Sequence, residues 1–292
     1  MTISTIGIIG SGNLGTRIGL QAAISGFDVS VYDIDQKALK KSLHRMNELI
    51  NSLIDTQLLD KELGFKALKR IRFHQNLQHA LLNVDLISES VTEDPEIKSK
   101  VWSEISGLAP AHTIFTTNTS YLLPSQFAAI SGRPEKFCAF HFHDVFHSRV
   151  VDIMPHAGTS QEIIDTLENV GRKLNQVPIL VKKEHSGYIF NTLLIAWIDA
   201  AGRLLTGEIA EIEAIDKSWM INFNTSTGPF GILDNVGLDT AWQITSSRRN
   251  PASKAFAAVL KTYIDQGKLG AKSGEGFYKY PHPSYQEPDF LK

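Results

Sequence analysis

The sequence of 292 residues is long enough for roughly two domains, and 42% hydrophobic with 21% charged residues is typical of a soluble globular protein. A net charge of −2 argues against electrostatic binding to nucleic acid or to an anionic membrane. A single cysteine, Cys138, excludes an internal disulfide. No apolar run is long enough to span a membrane and no leader pattern precedes the first predicted strand, so we expect a cytoplasmic protein.

A dinucleotide-binding fingerprint opens the chain. An apolar run beginning at Ile6 stops at Gly10, and a helical pattern follows Gly15. With Gly12, these glycines have the G-x-G-x-x-G spacing, which provides a tight turn, a close approach for a pyrophosphate and close packing of helix on strand. We therefore predict that a dinucleotide binds the loop formed by Gly10, Ser11, Gly12, Asn13, Leu14 and Gly15.

The acid that ends the second predicted strand, over 28–33, indicates which dinucleotide binds. A carboxylate at this position, Asp33, accepts hydrogen bonds from ribose hydroxyls and repels a 2′-phosphate. The strand, loop, helix and strand together therefore predict NAD rather than NADP.

A basic helical hairpin is predicted next. Apolar residues recur at a helical period over 36–54, and a second helical stretch covers 61–70. Lys37, Lys40 and Lys41 lie on the face opposite the apolar one. Two interpretations stay open: a solvated amphipathic pair, or a surface whose lysines contact the phosphates of a bulky anionic substrate.

Alternation of strands and helices continues to about residue 184, and helices alone follow. Several predicted strands end in polar residues, among them Ser120 and His141, and in an open α/β sheet such residues converge on a ligand. In the helical part, Gly228 and the Pro after it are predicted to form a turn. We predict an α/β Rossmann-type N-terminal domain with a mostly parallel sheet over 1–184, followed by an all-α C-terminal domain over 185–292.

His141 is the candidate for acid–base chemistry. A dehydrogenase acting on an alcohol needs a base beside the hydroxyl, and histidine titrates near neutral pH. Asp152, on the next predicted strand, is placed to stabilise the imidazolium. Ser120 and Asn191 are candidates to hydrogen-bond a substrate oxygen, although a structural role would equally explain each of these residues.

A metal site is the competing interpretation of the three histidines His141, His143 and His147. Positions two apart on a strand face the same side, so His141 and His143 share a face. The three residues do not have a recognised zinc spacing, and no cysteine pair accompanies them, so we predict no metal.

Together these motifs resemble the short-chain L-3-hydroxyacyl-CoA dehydrogenases, a family that includes the 3-hydroxybutyryl-CoA dehydrogenases. The likeness extends along nearly the whole chain. It is carried by the segments 10–15, 85–93, 114–120, 140–142, 186–191, 228–240 and 269–280.

The resemblance implies roles for individual residues. It makes His141 the catalytic base and Asp152 its carboxylate partner. Ser120 would contact both the substrate hydroxyl and the nicotinamide, and Asn191 would complete the substrate site. Cofactor or CoA contacts are implied for Glu93, Lys98, Asp144 and Lys272. The resemblance also implies a CoA-facing hairpin, a homodimer formed through the helical domain, and a place in fatty acid metabolism.

Three departures from the family pattern surround His141. The family has a glutamate where this chain has Asp152, and one residue is deleted between it and His141. The family's His-Phe-x-Asn-Pro-x-Pro becomes HFHDVFH, which loses both prolines and puts Asp144 in place of an asparagine. Tyr121 replaces a second serine. The shorter Asp152 requires a closer strand or a bridging water, and an unpaired Asp144 would disfavour a negative neighbour.

Three functional hypotheses follow from the sequence. The leading one is NAD-dependent, reversible oxidation of a short L-3-hydroxyacyl-CoA to the 3-oxoacyl-CoA. The second is oxidation of a 3-hydroxy acid that carries no CoA, as in an L-gulonate 3-dehydrogenase. The third is an NAD-binding protein without catalytic activity.

Overall fold

A computed structural model describes residues 2–248 and 250–292. The chain divides into an α/β unit that ends at Ile189 and a helical unit that begins at Phe190. The α/β unit carries the sheet and the helical unit carries no strand among its described residues. The fold class predicted from the sequence is therefore confirmed.

Eight strands form one sheet within the described residues, in the order β3-β2-β1-β4-β5-β6-β7-β8. All neighbours are parallel except β6 and β7, which are antiparallel. The strands are β1 (Thr5–Ile9), β2 (Asp28–Tyr32), β3 (Ile71–His74), β4 (Leu86–Glu89), β5 (Ile114–Thr117), β6 (Phe137–Phe142), β7 (Val150–Pro155) and β8 (Val177–Leu180).

Helices cover both faces of this sheet, which explains why its strands are almost continuously apolar. Along β1, Ile6 and Ile8 pack into one core while Ile9 packs into another on the opposite face. The helices of this unit are α1 (Asn13–Ile24), α2 (Gln36–Asp55), α3 (Lys61–Leu68), α4 (Leu77–Leu81), α5 (Pro95–Leu108), α6 (Ser125–Ala128) and α7 (Gln161–Lys173).

The hairpin predicted from the sequence is formed by α2 and α3. Each helix begins with an aspartate whose carboxylate accepts a backbone N–H of the first turn: Asp35 accepts from Lys37, and Asp60 accepts from Leu63. The apolar face of α2 is buried through Met46 and Ile50. Its lysines are exposed, so the fold leaves them available to a ligand or to solvent.

The described part of the helical unit contains five helices, α8 (Phe190–Thr206), α9 (Ile212–Phe223), α10 (Pro229–Val236), α11 (Leu238–Ser246) and α12 (Pro251–Asp265). They enclose a core of their own that includes Ile198, Phe230 and Phe256. None of the helices in the described residues has both the length and the apolar character needed to cross a membrane.

The segment at Gly228, predicted to be a turn, is the start of α10. Pro229 occupies the first helical position, where its missing N–H costs nothing. A Cβ at Gly228 would lie 2.5 Å from the Cα of Asp216, so only glycine allows this approach. The Asp216 carboxylate accepts the N–H groups of Phe230 and Gly231 at 2.9 and 3.0 Å and thereby caps α10.

Candidate active site

The glycine-rich loop connects β1 to α1 and leaves open space at one glycine. Gly10 has φ of +101°, and a Cβ there would lie 2.7 Å from the carbonyl oxygen of Ser90. A Cβ at Gly15 would lie 2.1 Å from the carbonyl oxygen of Gly10. A Cβ at Gly12 would meet no described atom within 4 Å. The fold therefore requires Gly10 and Gly15, whereas Gly12 leaves room for an anion at the positive N-terminal end of α1.

The other loop residues offer backbone rather than side-chain groups. Ser11 is buried, and Leu14 packs partly against the core. Asn13 and Leu14 are the first two residues of α1. Because N–H groups in the first turn have no partner within a helix, they are the groups that a phosphate can use here.

Asp33 follows β2 and lies beside this loop. Its Oδ2 accepts hydrogen bonds from the N–H and the hydroxyl of Ser11, both at 2.8 Å. Gly10, Gly12 and Asp33 border a cavity of about 460 Å³. Ile34, Leu77, Ile97 and Val101 give it apolar walls, and Lys100 and Glu104 also line it. A polar edge and apolar walls are what a nucleoside, with its flat base and its ribose, requires.

His141 and Asp152 lie directly opposite each other on the antiparallel strands β6 and β7. The distance from His141 Nδ1 to Asp152 Oδ2 is 3.2 Å. Opposed residues on such strands have Cβ atoms only about 5 Å apart, so the shorter aspartate reaches the ring without a bridging water. The sequence left open a closer strand or a bridging water, and the structure has the closer strand.

The hydrogen bonds of His141 define its tautomer. An ionised carboxylate can only accept, so Nδ1 of His141 carries the hydrogen that faces Asp152. Nε2 then presents a lone pair in the neutral ring, and it lies 3.2 Å from the hydroxyl oxygen of Ser120. This arrangement gives a base at Nε2 and a hydroxyl beside it.

Burial and hydrogen bonding set the charges of this pair. Burial lowers the pKa of His141 below its usual value, against the opposing effect of the Asp152 carboxylate. Burial acts to raise the pKa of Asp152, but hydrogen bonds from His141 and His143 outweigh it and the pKa is lowered. The resting site therefore holds a neutral imidazole and an ionised carboxylate.

Glu93 anchors the loop that carries Ser120. Its Oε1 accepts the N–H groups of Ser120 and Tyr121 at 3.0 and 3.1 Å and the hydroxyl of Thr119. Burial acts to raise the pKa of Glu93, but the Thr119 hydroxyl, the charge of Lys98 and the two N–H groups lower it overall. An ionised Glu93 thus fixes the backbone on which the Ser120 hydroxyl is mounted.

Lys98 acts on the same loop from inside the protein. Its side chain is 1% exposed, and its ammonium lies 2.7 Å from Glu89 and 3.4 Å from Glu93. The contacts in the structure are thus to protein carboxylates, and the direct cofactor contact implied by the resemblance stays a prediction.

Comparison with known families identifies both parts of the chain. Residues 5–185 match the 3-hydroxyacyl-CoA dehydrogenase NAD-binding domain, and residues 187–280 match the 3-hydroxyacyl-CoA dehydrogenase C-terminal domain. The chain belongs to the 3-hydroxyacyl-CoA dehydrogenase family. It is therefore an oxidoreductase, and NAD is the cofactor of its α/β domain.

Individual relatives cover the chain almost from end to end. A probable 3-hydroxybutyryl-CoA dehydrogenase of Bacillus subtilis (strain 168) is 28% identical over 284 residues, which is 96% of this chain and 98% of the relative. A diketoreductase described as acting on dicarbonyl compounds is 40% identical, with a TM-score of 0.92 over 96% of this chain and 100% of its own. The (S)-3-hydroxybutyryl-CoA dehydrogenase of Ralstonia eutropha is 27% identical, with a TM-score of 0.85 over 96% and 100%.

The residues of this dehydrogenase fit NAD. The open space at Gly12, facing the N-terminus of α1, suits the pyrophosphate, and the cavity beside Asp33 suits the adenosine. A Cβ at Gly12 would occupy the space that the phosphates need.

Two residues implied by the family lie in the helical unit. Asn191 is the second residue of α8 and is half-buried. Lys272 forms an ion pair with Asp239, with its ammonium 2.7 Å from Oδ2. Their contributions to substrate and cofactor binding stay predictions.

Asp144, which would repel a negative neighbour if unpaired, has a cationic partner. Its Oδ1 lies 2.9 Å from Nη2 of Arg17 on α1 and accepts the N–H groups of Phe146 and His147. Although burial acts to raise it, these hydrogen bonds and the Arg17 charge lower the pKa of Asp144 to about 2. The carboxylate is thus ionised and neutralised by Arg17. Its implied cofactor contact stays a prediction.

Tyr188 was not recognised from the sequence. Its ring stacks on the His141 imidazole with centroids 4.6 Å apart and an interplanar angle of 17°. Its hydroxyl donates to the carbonyl oxygen of Thr119 at 2.8 Å. It therefore holds both the base and the segment next to Ser120. Its place in the family-like segment 186–191 was the available signal, but that segment pointed to Asn191.

His143 lies in the same site as His141. Its Nε2 lies 2.7 Å from Asp152 Oδ2, and the ligand-type atoms of His141, His143 and Asp152 lie within 4.8 Å of one another. Two of these contacts are hydrogen bonds to the carboxylate, which use the atoms that a metal would need. His147 is exposed and contacts Asp144 instead. The absence of a metal stays a prediction.

Proposed function

We propose that the protein interconverts short-chain L-3-hydroxyacyl-CoA and 3-oxoacyl-CoA, such as the 3-hydroxybutyryl and acetoacetyl thioesters, with NAD. The observation that carries this proposal is the chain of contacts from Ser120 through His141 to Asp152, with 3.2 Å at each step. It supplies a neutral base whose lone pair faces a hydroxyl, as oxidation of a secondary alcohol requires.

Each of these residues has a task in the oxidation. Nε2 of His141 accepts the proton of the substrate hydroxyl, and Ser120 hydrogen-bonds the same oxygen. Asp152 stabilises the imidazolium that forms. Bound NAD supplies the acceptor for the hydride that leaves carbon 3. In the reduction, the imidazolium returns the proton to the oxygen.

NADH consumption with acetoacetyl-CoA tests this proposal. We expect turnover by the wild type and a loss of about 100-fold or more in kcat for His141→Ala, since general acid–base catalysis contributes at least that much. His112→Ala removes an exposed histidine outside the site and is the matched control. Bound NADH with no turnover of any 3-oxoacyl thioester would refute the proposal.

Recognition of CoA is assigned to the exposed lysines of α2. CoA carries several phosphate charges, and Lys37, Lys40 and Lys41 present positive charge on one surface. We expect the K40E/K41E double variant to raise KM for acetoacetyl-CoA and to leave KM for an acetoacetate ester unchanged. Lys173→Glu on α7 is the control for charge reversal at an exposed helix position.

Reduction of a dicarbonyl compound without CoA is the second candidate. It is favoured by the 40% identity with the diketoreductase. The same residues would transfer the proton, since both reactions convert a ketone to a secondary alcohol. A higher kcat/KM for a dicarbonyl compound without CoA than for acetoacetyl-CoA would favour this candidate, as would K40E/K41E without effect on either substrate.

Selection of NAD over NADP is assigned to Asp33. Its carboxylate borders the cavity for the adenosine, where a 2′-phosphate would meet a negative charge. We expect a higher kcat/KM with NADH than with NADPH, and Asp33→Asn should reduce that preference. Equal use of both cofactors by the wild type would contradict the assignment.

We also propose a homodimer formed through the helical unit, as the resemblance implies, and a cytoplasmic location, as the composition suggests. Exposed apolar side chains on its helices, among them Leu193, Ile221 and Phe223, are consistent with a buried surface in a dimer. Sedimentation equilibrium should give twice the chain mass, and a monomer at micromolar concentration would contradict the proposal.

A further inference from the structure

Two histidines share one oxygen of the buried Asp152 carboxylate. His141 Nδ1 lies 3.2 Å from Oδ2, and His143 Nε2 lies 2.7 Å from the same atom. The side chain of Asp152 is 2% exposed, and that of His143 is 11% exposed. Thus His143, which has no role in the proposed proton transfer, lies closer to Asp152 than the base His141 does.

The strand pairing explains how both rings reach the same atom. Residues two apart in an extended chain face the same side. His143 is the first residue after β6 and still bonds to β7 through Val150, so it lies on the same face as His141. His141 is opposite Asp152, and His143 pairs with Val150, from which it reaches Asp152 diagonally. Its imidazole ring lies 4.8 Å from that of His141.

The shared oxygen has a chemical consequence. Because the carboxylate only accepts, His143 presents Nε2–H to it, as His141 presents Nδ1–H. A carboxylate that accepts a second hydrogen bond holds its negative charge more firmly and attracts a proton on the first ring less strongly. His143 therefore acts against the stabilisation of the His141 imidazolium.

We propose that His143 is a positioning residue for His141: its Nε2–H fixes the Asp152 carboxylate beneath the base and weakens the hold of that carboxylate on the protonated ring. The inference rests on the proposed function, because it deepens the role of His141 as the base. On this proposal, the pH range of the reaction depends on both His141 and His143.

The groups that face His141 all contribute to this balance. Asp152 on β7 and Glu93, before α5, stabilise the charged ring, whereas burial and His143, just after β6, oppose it. Tyr188 covers one face of the ring and Ser120 faces Nε2. The pKa of His141 is lowered overall, and burial is the largest cause.

A matched pair of variants isolates the hydrogen bond. His143→Gln keeps an N–H donor at nearly the same reach, and His143→Met has a similar length but no donor. In the oxidation the base must be neutral, so kcat/KM falls below its pKa. We expect His143→Met to shift this acidic limb upward by about one pH unit, and we expect His143→Gln to keep the wild-type profile.

An NMR titration of the His141 imidazole separates this inference from the proposed function. Histidine-labelled protein requires no substrate, and His141→Asn assigns the signal among the 10 histidines. An upward shift in His143→Met but not in His143→Gln supports the inference even if no thioester is turned over. An unshifted titration in His143→Met, or equal shifts in both variants, would overturn it. A fall in melting temperature without a shift would show a structural role only and would also overturn it.

Discussion

Replacing Asp152 with asparagine tests the electrostatic part of the site most directly. The substitution keeps the size of the side chain and removes its charge. The asparagine offers one acceptor and one donor where the carboxylate offered only acceptors. His141 and His143 both donate to Oδ2 in the wild type. An amide with its NH₂ group at that place loses both hydrogen bonds, and one with its carbonyl oxygen there keeps them without the negative charge. The amide also permits His141 to adopt the other tautomer, with hydrogen on Nε2.

The expected magnitude follows from the geometry. At an effective dielectric constant of about 20, two unit charges 3.2 Å apart attract by about 5 kcal/mol. The desolvation of the buried carboxylate offsets part of this, which leaves about 3 kcal/mol for the imidazolium in the transition state. Loss of the correct tautomer adds to the effect. We therefore expect kcat to fall on the order of 10²- to 10⁴-fold.

The assay is NADH-dependent reduction of acetoacetyl-CoA at saturating cofactor, together with a fluorescence titration of NADH binding. Because Asp152 lies with the base and not with the glycine loop, NADH affinity should stay near the wild-type value. Asp165→Asn removes an exposed carboxylate on α7 and is the matched control. A near-wild-type kcat for Asp152→Asn, with the protein folded, would refute the assignment of Asp152 as the partner of the base.

Three further predictions concern the glycine loop, the ion pair beside it and the helical unit. Gly12→Val should abolish NADH binding with little change in melting temperature, because the new side chain enters open space. Gly15→Ala should instead destabilise the fold, because the new Cβ would lie 2.1 Å from a backbone oxygen. Arg17→Ala removes the cation that neutralises the ionised Asp144. The negative charge then stands beside α1, whose N-terminus is proposed to receive the phosphates, so the Kd for NADH should rise about tenfold. Burial raises the pKa of Asp216 to about 6, so the folded state binds its proton more tightly than the unfolded state. The free energy of unfolding should then fall by about 3 kcal/mol as the pH rises from below the unfolded pKa of about 4 to above the folded pKa of about 6, and Asp216→Asn should remove this dependence.

Each of these predictions has a contrary outcome. Thermal melts that show equal losses for the Gly12 and Gly15 variants would contradict the contrast between open and filled space. Arg172→Ala, which removes an exposed arginine from its pair with Glu168, is the control for Arg17, and equal Kd values for both variants would refute a role for the ion pair. Parallel pH profiles of urea unfolding for the wild type and Asp216→Asn would contradict the burial effect.

The features that the sequence predicted are those encoded by local patterns. The glycine spacing, the helical period of α2 and the alternation of strands with helices each depend on neighbouring residues. The start of α10 was missed because Gly228 and Pro229 are common in turns and equally suit the first positions of a helix. The Asp216 carboxylate on α9 caps α10 and so determines that this segment starts a helix.

The contacts within the site depend on residues that are distant in sequence. Arg17 and Asp144 are separated by 127 positions, and Tyr188 reaches Thr119 across 69. The direct contact of Asp152 with the base requires an antiparallel register that no local pattern encodes. The sequence therefore predicted which residue types the site needs, and tertiary structure determined how they meet.

The departures from the family pattern around Asp144 lie in the connection between β6 and β7. The N–H of His143 donates to the carbonyl oxygen of Val150, so the residues between these two form the connection from β6 to β7. Asp144 organises this connection, since its side chain accepts the N–H of His147 and its carbonyl oxygen accepts the N–H groups of Ser148 and Arg149. A proline at 147, as in the family pattern, has no N–H to donate. Loss of that proline therefore leaves the N–H that the Asp144 side chain accepts, and Asp152 meets the base on the strand that follows this connection.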